Sequence, residues 1–175
     1  MKKIIPIIIL VLMIYIYNNN VSKVLIPDEA IRFRVIANSD SDYDQEIKKE
    51  VKNDLEEVIT DDLKNSNSIN DSRKILTNNI SKYDNIVSNT LEKNDINYSF
   101  NINYGLNYFP KKEYKGVEYP SGNYESLVVT LGEGKGKNWW CVLFPPLCLL
   151  EAEENNNEEV EYKFFVKELI DKYIK

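Results

Sequence analysis

Two cysteines, Cys141 and Cys148, flank a Pro145-Pro146 pair, and both tryptophans, Trp139 and Trp140, sit just before the first of them. A turn at the prolines would bring the two Cα atoms within the roughly 4.4–6.8 Å that a disulfide needs. In an exported protein two cysteines often pair. The alternative is two buried, reduced thiols that act as small hydrophobes. The chain has no His. Ser-His-Asp and Cys-His catalysis are therefore excluded, as is a His-ligated zinc, and two thiols alone cannot close a structural zinc site. Without a CxxC spacing or a His, redox or nucleophilic work by these thiols has no support.

Three further constellations invite chemistry. Gly132-Glu-Gly-Lys-Gly-Lys137 has the look of a phosphate loop. A Walker loop, however, needs Gly where Leu131 stands and Ser or Thr where Asn138 stands. It also opens a helix, whereas a strand follows here, so the glycines read as a connection between strands with positive-φ positions. Its charged side chains, Glu133, Lys135 and Lys137, are candidates to touch a partner. Asp40, Asp42, Asp44 and Glu46 resemble a calcium loop, but the EF-hand positions for Gly and Glu hold Gln45 and Val51. Acidic residues that favour the start of a helix dipole are the simpler reading. Carboxylates such as Glu125 and Glu133 could pair for glycan hydrolysis if they lay about 5–10 Å apart in a cleft.

The elements that must position these residues follow from composition and period. The chain has 175 residues and a net charge of −6, and is more acidic still once Lys2 and Lys3 are set aside. Nucleic acid is excluded as a partner because phosphate binding needs clustered positive charge. Nothing calls for a cofactor, a metal or a small-molecule substrate. Lys2 and Lys3 precede an apolar run from Ile4 to Tyr17 that ends at Asn18-Asn19-Asn20, the layout of a secretory signal. The run is shorter than a full membrane span of about 20 residues. No small-x-small cleavage site follows it, so residues 1–20 are expected to be a signal peptide or an uncleaved membrane anchor. Either way the body is exported.

Ile31 to Ala37 alternates as a strand, with Ile31, Phe33, Val35 and Ala37 on one face and Arg32, Arg34 and Ile36 on the other. Ser41 and Asp44 fit a capping box that opens a helix to about Leu63, striped by Ile47, Val51, Leu55, Val58 and Ile59. A second cap at Ser68 leads into another stripe, Leu76, Ile80, Tyr83, Val87 and Leu91. The short loop at Asn65–Asn67 favours an antiparallel helix pair. Tyr98 to Tyr108 alternates strictly, which predicts a strand with one buried and one polar face. Tyr119 to Gly122 reads as a turn. Tyr124 to Leu131 and Trp139 to Phe144 read as further strands. In the last of these, Trp139, Cys141 and Leu143 share one face and Trp140, Val142 and Phe144 the other. Glu151 to Glu159 is an acidic hinge, and Val160 to Ile174 has a helical pattern. The order predicts an α+β domain: a mainly antiparallel four-stranded sheet with packed helices, preceded by an N-terminal signal or anchor helix. The domain covers 25–150, and 151–175 forms the hinge and a C-terminal helix.

Three blocks carry a resemblance: Ile26 to Ser41 (IPDEAIRFRVIANSDS), Tyr119 to Gly134 (YPSGNYESLVVTLGEG) and Leu131 to Cys148 (LGEGKGKNWWCVLFPPLC). They are similar to the stage II sporulation protein R family of endospore-forming bacteria, over roughly Leu25 to Leu150. The resemblance implies a developmental signal and not an enzyme. It implies a protein made in the forespore and exported into the space between the two membranes that separate it from the mother cell. There it would activate a membrane-embedded aspartic protease that processes the precursor of sigma factor E. The family supplies no catalytic or metal-binding residues to carry across. Its recurring cysteine pair falls on Cys141 and Cys148. The candidate contacts with the extracytoplasmic part of the protease are Glu133, Lys135, Lys137, the Arg32/Arg34 face and any open edge of Trp139 or Trp140. The N-terminal segment would provide membrane contact. The competing expectations are an exported cell-wall or glycan hydrolase using Glu125 or Glu133, and a structural protein anchored in the envelope.

Overall fold

The computed structural model describes residues 29–114 and 117–146. The expected leader, the acidic hinge, the C-terminal helix and Cys148 lie outside the described residues. Among the described residues no helix is long and apolar enough to cross a membrane.

Strand β1, Ile31–Ile36, turns Ile31, Phe33 and Val35 into the core, where all three are fully buried. Helix α1, Asp42–Leu63, packs on this face through Ile47, Val51, Leu55, Ile59 and Leu63, spaced four residues apart along one side. Its first turn is capped by Ser41, whose Oγ accepts the Asp44 N–H at 3.1 Å. Only half of the expected capping box forms. The Ser41 N–H is bonded to Ser39 Oγ instead, and the Asp44 carboxylate turns elsewhere.

The second helical stripe is real but belongs to two helices, α2, Ile69–Asn78, and α3, Ile80–Lys93. Ser68 Oγ caps α2 by accepting the Asp71 N–H. The break falls at Asn79, which has φ −102° and ψ 6°. Its side-chain amide donates to the Ile75 carbonyl at 3.0 Å, while its own N–H is shared between Ile75 and Leu76. An Asn side chain that competes for backbone carbonyls in this way offers the chain an exit from the helix. The stripe survives the break because Leu76, Tyr83, Val87 and Leu91 all remain buried.

Helices α1 and α3 run antiparallel, although the short loop that suggested an antiparallel pair joins α1 to α2. Asp62 accepts from Tyr83 and Lys82, Asp54 from Thr90, and Glu50 from Asn94, so one chain ascends as the other descends.

The remaining strands are β2, Phe100–Phe109, β3, Lys112–Tyr114, β4, Val117–Tyr119, β5, Gly122–Leu131, and β6, Asn138–Phe144. The four long strands form one sheet in the order β2-β5-β1-β6. The expectation of a mainly antiparallel sheet needs correction, because the sheet is mixed. β2–β5 and β1–β6 are antiparallel, but the central pair β1–β5 is parallel. The physical reason lies in the connections. β2 and β5 form an antiparallel pair, and it is β5 that inserts beside β1. The helical crossover between β1 and this pair is long enough to let β5 run in the same sense as β1. β3 and β4 form a separate two-stranded ribbon that the sequence pattern did not reveal.

The core joins the three helices to Phe33, Val35, Leu127, Val129, Leu131 and Cys141 on one face of the sheet. Each fully buried side chain of this size contributes about 1.5–3 kcal/mol through removal of apolar area from water. In β6 the register shifts opposite Ile31 and Arg32, and Leu143 is the extra residue. The bulge corrects the expected alternation: Leu143 and Phe144 both join the helix-side cluster.

Candidate interaction surface

Two of the blocks singled out in the sequence meet at one end of the sheet. β1 and β5 are parallel, so the loops that follow them, Ala37–Ser41 and Gly132–Lys137, leave the sheet on the same side. They are latched together by backbone groups. The Lys135 N–H donates to the Asn38 carbonyl at 3.1 Å, and the Gly136 N–H to the Ala37 carbonyl at 3.0 Å. Side chains of the first loop complete the latch: Asn38 Oδ1 accepts the Glu133 N–H at 2.9 Å and Asp40 Oδ1 the Lys137 N–H at 2.6 Å. Lys48 of α1 donates to the Lys137 carbonyl.

Glycine is required here by contact. A Cβ on Gly136 would lie 2.5 Å from the Ser39 carbonyl carbon and 2.9 Å from Ala37 Cβ. Gly132, at φ +54°, is in the left-handed region and faces the Asn38 side chain. The expected positive-φ positions are thus found at Gly132 and Gly134.

Asp44 holds the first loop from below. Its carboxylate is buried and accepts from Ser39 Oγ at 2.5 Å and Asn38 Nδ2 at 3.0 Å. Burial pushes its carboxyl up, but the hydrogen bonds from Ser39, Asn38 and Ser41 outweigh this and hold it below the usual range. Asn38 therefore bridges Asp44 to the glycine loop. Sequence reasoning read Asp44 as a capping-box and helix-dipole acid and did not single out Asn38, so the tie between these two residues and the glycine loop went unseen. The usable signal was an Asn directly after a strand, before a capped helix.

The candidate contact residues do not form one surface. Glu133, Lys135 and Lys137 are exposed on the latched loop. Glu133 and Lys135 pair with each other at 2.6 Å, with side chains 68% and 76% exposed, so the pair is worth little and is free to exchange for a partner's charges. Trp139 lies on the helix side, edge-on to Phe33 with ring centroids 5.7 Å apart, and Lys52 Nζ stands 4.7 Å from its ring. Arg32, Arg34 and Trp140 share the opposite face. Arg32 is only 4% exposed, and its guanidinium lies 3.4 Å from the Tyr124 ring centroid. It is a packed element of the fold. Arg34 donates to the Tyr108 carbonyl at 3.2 Å. Trp140 is half-buried, edge-on to Phe109 and Tyr119.

The two carboxylates of the hydrolase reading lie apart. Glu125 is near the start of β5 and Glu133 beyond its end, so about 20 Å of strand separates them, well outside the roughly 5–10 Å of a glycosidase pair. Glu125 is also committed. Arg73 grips it in a fork at 2.7–3.1 Å, and Tyr104 donates to it at 2.7 Å. The Arg73 bonds hold its carboxyl below the usual range despite burial, the opposite of a general acid. Burial, with the Glu125 carboxylate beside it, pushes the Tyr104 phenol well up.

A pH prediction follows for Glu125. Its folded pKa is depressed, so its contribution is present above the unfolded value, near pH 4, and is lost as pH falls through the folded one. Glu125→Gln should lower stability at neutral pH and flatten the acid limb of the profile. Urea midpoints measured between neutral pH and pH 3 read this directly. An unchanged acid limb would contradict it.

Comparison with known proteins places these features in a family. The family model described as stage II sporulation protein R (spore_II_R) matches residues 27–154, which include both latched loops. The stage II sporulation protein R of Bacillus subtilis (strain 168) is 42% identical over 138 residues, 79% of this chain and 61% of that protein. The chain thus spans less than two thirds of the length of that relative. No solved structure matches. On the extent of the family match and the level of identity, the chain belongs to the stage II sporulation protein R family.

Proposed function

We propose that this chain acts in sporulation as an exported signalling protein that activates the membrane-embedded aspartic protease which processes the sigma factor E precursor. The observation that carries the reading is the family match across the whole latched domain. In this reading the protein is made in the forespore and reaches the intermembrane space through its N-terminal segment, as a secreted or anchored species. It is a ligand, not an enzyme. A ligand shifts a protease toward its active state only by binding that state more tightly than the inactive one. The latched loop offers what such binding requires: exposed charges on a backbone pinned at several points, so that little entropy is lost on docking. Arg32 drops out of the contact set because it is buried, while Lys135, Lys137 and Glu133 lead it.

The test is co-expression with the protease and the precursor in a host that does not sporulate. Cleavage should depend on this chain. Cleavage in its absence at the same level would refute the proposal.

The Cys141–Cys148 bridge belongs to the same proposal. Cys141 is buried in β6, and among the described residues there is no free cysteine, which supports pairing. A thiol label should add mass to the denatured exported protein only after reduction. Labelling without reductant would show two free thiols instead.

A further inference from the structure

The charge-poor edge of the sheet carries an inference independent of the protease reading. β2 is an edge strand, paired only with β5 among the described residues. Its sequence, FNINYGLNYF, has no charged residue, in a chain that is 29% charged. Sheet edges are normally blunted by Lys, Pro or a bulge. β2 has none of these: its register with β5 is unbroken for all ten residues, and Pro110 and Lys111 come only after its end. On the helix side of this strand, Leu106 is 77% exposed and Tyr108 62%. The expected buried face therefore stops at Tyr104, because the core cluster does not extend over the last two positions.

We propose that the β2 edge is a self-association surface, and that two copies pair antiparallel through β2 about a twofold axis at Leu106, the most exposed apolar residue of the strand, to continue the sheet. The chemistry of the strand selects a second copy over a foreign strand. In a twofold antiparallel pairing the residue on the axis meets its own copy and the residues beside it meet one another, so a charge at or beside the axis would sit close to a like charge. β2 presents only apolar groups and groups that both donate and accept hydrogen bonds, the exposed Asn101 and Asn103 among them. Two bodies of net charge −6 repel over most of their surface, and β2 is a ten-residue line along which they can approach without a charge. Pairing would cover Leu106 and Tyr108 and would satisfy the outward backbone groups of the edge.

The experiment is light scattering of the full chain in a non-ionic detergent. The wild type should have a protein mass twice the 20.5 kDa of one chain. Leu106→Lys and Leu106→Glu should each fall to the single-chain mass and keep the wild-type circular dichroism spectrum, because the side chain is exposed in the single chain. An equimolar mixture of the two variants should recover the double mass, since opposite charges then meet across the axis. A single-chain mass for the wild type at every concentration would overturn the proposal. So would a double mass that neither substitution alters, or a mixture that stays single.

Discussion

Gly136→Ala is expected to lower the stability of the domain by about 2–3 kcal/mol, the cost of forcing an atom into packed backbone. The added Cβ would meet the Ser39 carbonyl group and Ala37, neither of which is the loose end of a side chain. Relief would require the two loops to part, and that would break the Gly136–Ala37 and Lys135–Asn38 hydrogen bonds. Gly122→Ala is the matched control. Its Cβ would find only the Tyr124 ring at 3.5 Å, so the change should stay within about 1 kcal/mol. Urea unfolding of the two variants side by side reads the difference. Equal midpoints would mean that the loops are not latched as described.

The second large effect is on activation. Lys135→Glu together with Lys137→Glu should reduce protease activation at least about tenfold, the effect of losing roughly 1.4 kcal/mol or more of charge complementarity at a docking face. The lysine side chains are exposed, and the loop is held by backbone groups that the substitutions leave alone. The unfolding midpoint should therefore hardly move. Lys135→Arg with Lys137→Arg should restore most of the activity, since the charge is kept. Comparing precursor cleavage with the unfolding midpoint separates loss of contact from loss of fold. Full activation by the reversed-charge variant would remove this loop from the contact set.

Much of the domain was legible because its elements obey clean periods. The alternation of Tyr98 to Tyr108 and the i,i+4 stripe from Ile47 to Ile59 each point to one structure, and each is found. Neighbour order was not legible. A period of two gives the faces of a strand but not which strand lies beside it, so the parallel β1–β5 pair escaped notice. The break at Asn79 was hidden because the apolar stripe runs straight through it. The bulge at Leu143 was hidden because one extra residue in an apolar strand leaves no mark on its composition. At the candidate surface, the glycine loop and its lysines were visible, since their types are unusual there. Asn38 and Asp44 were not, because their role depends on a loop almost 100 residues away. Arg32 looked like an interface anchor on a strand's polar face. Its stacking against Tyr124 becomes apparent only once β1 and β5 are side by side.

The central proposal is that this domain, once exported, acts on the protease as a ligand. The most direct measurement adds the purified, exported chain from outside to membranes that hold the protease and its precursor, and follows cleavage with time. Cleavage should begin on addition and saturate with concentration. A Glu125→Gln variant, tested where it is fully folded, should work about as well as the wild type. No cleavage on addition of folded protein would contradict the claim, and so would activity that vanishes with that carboxylate while the fold persists.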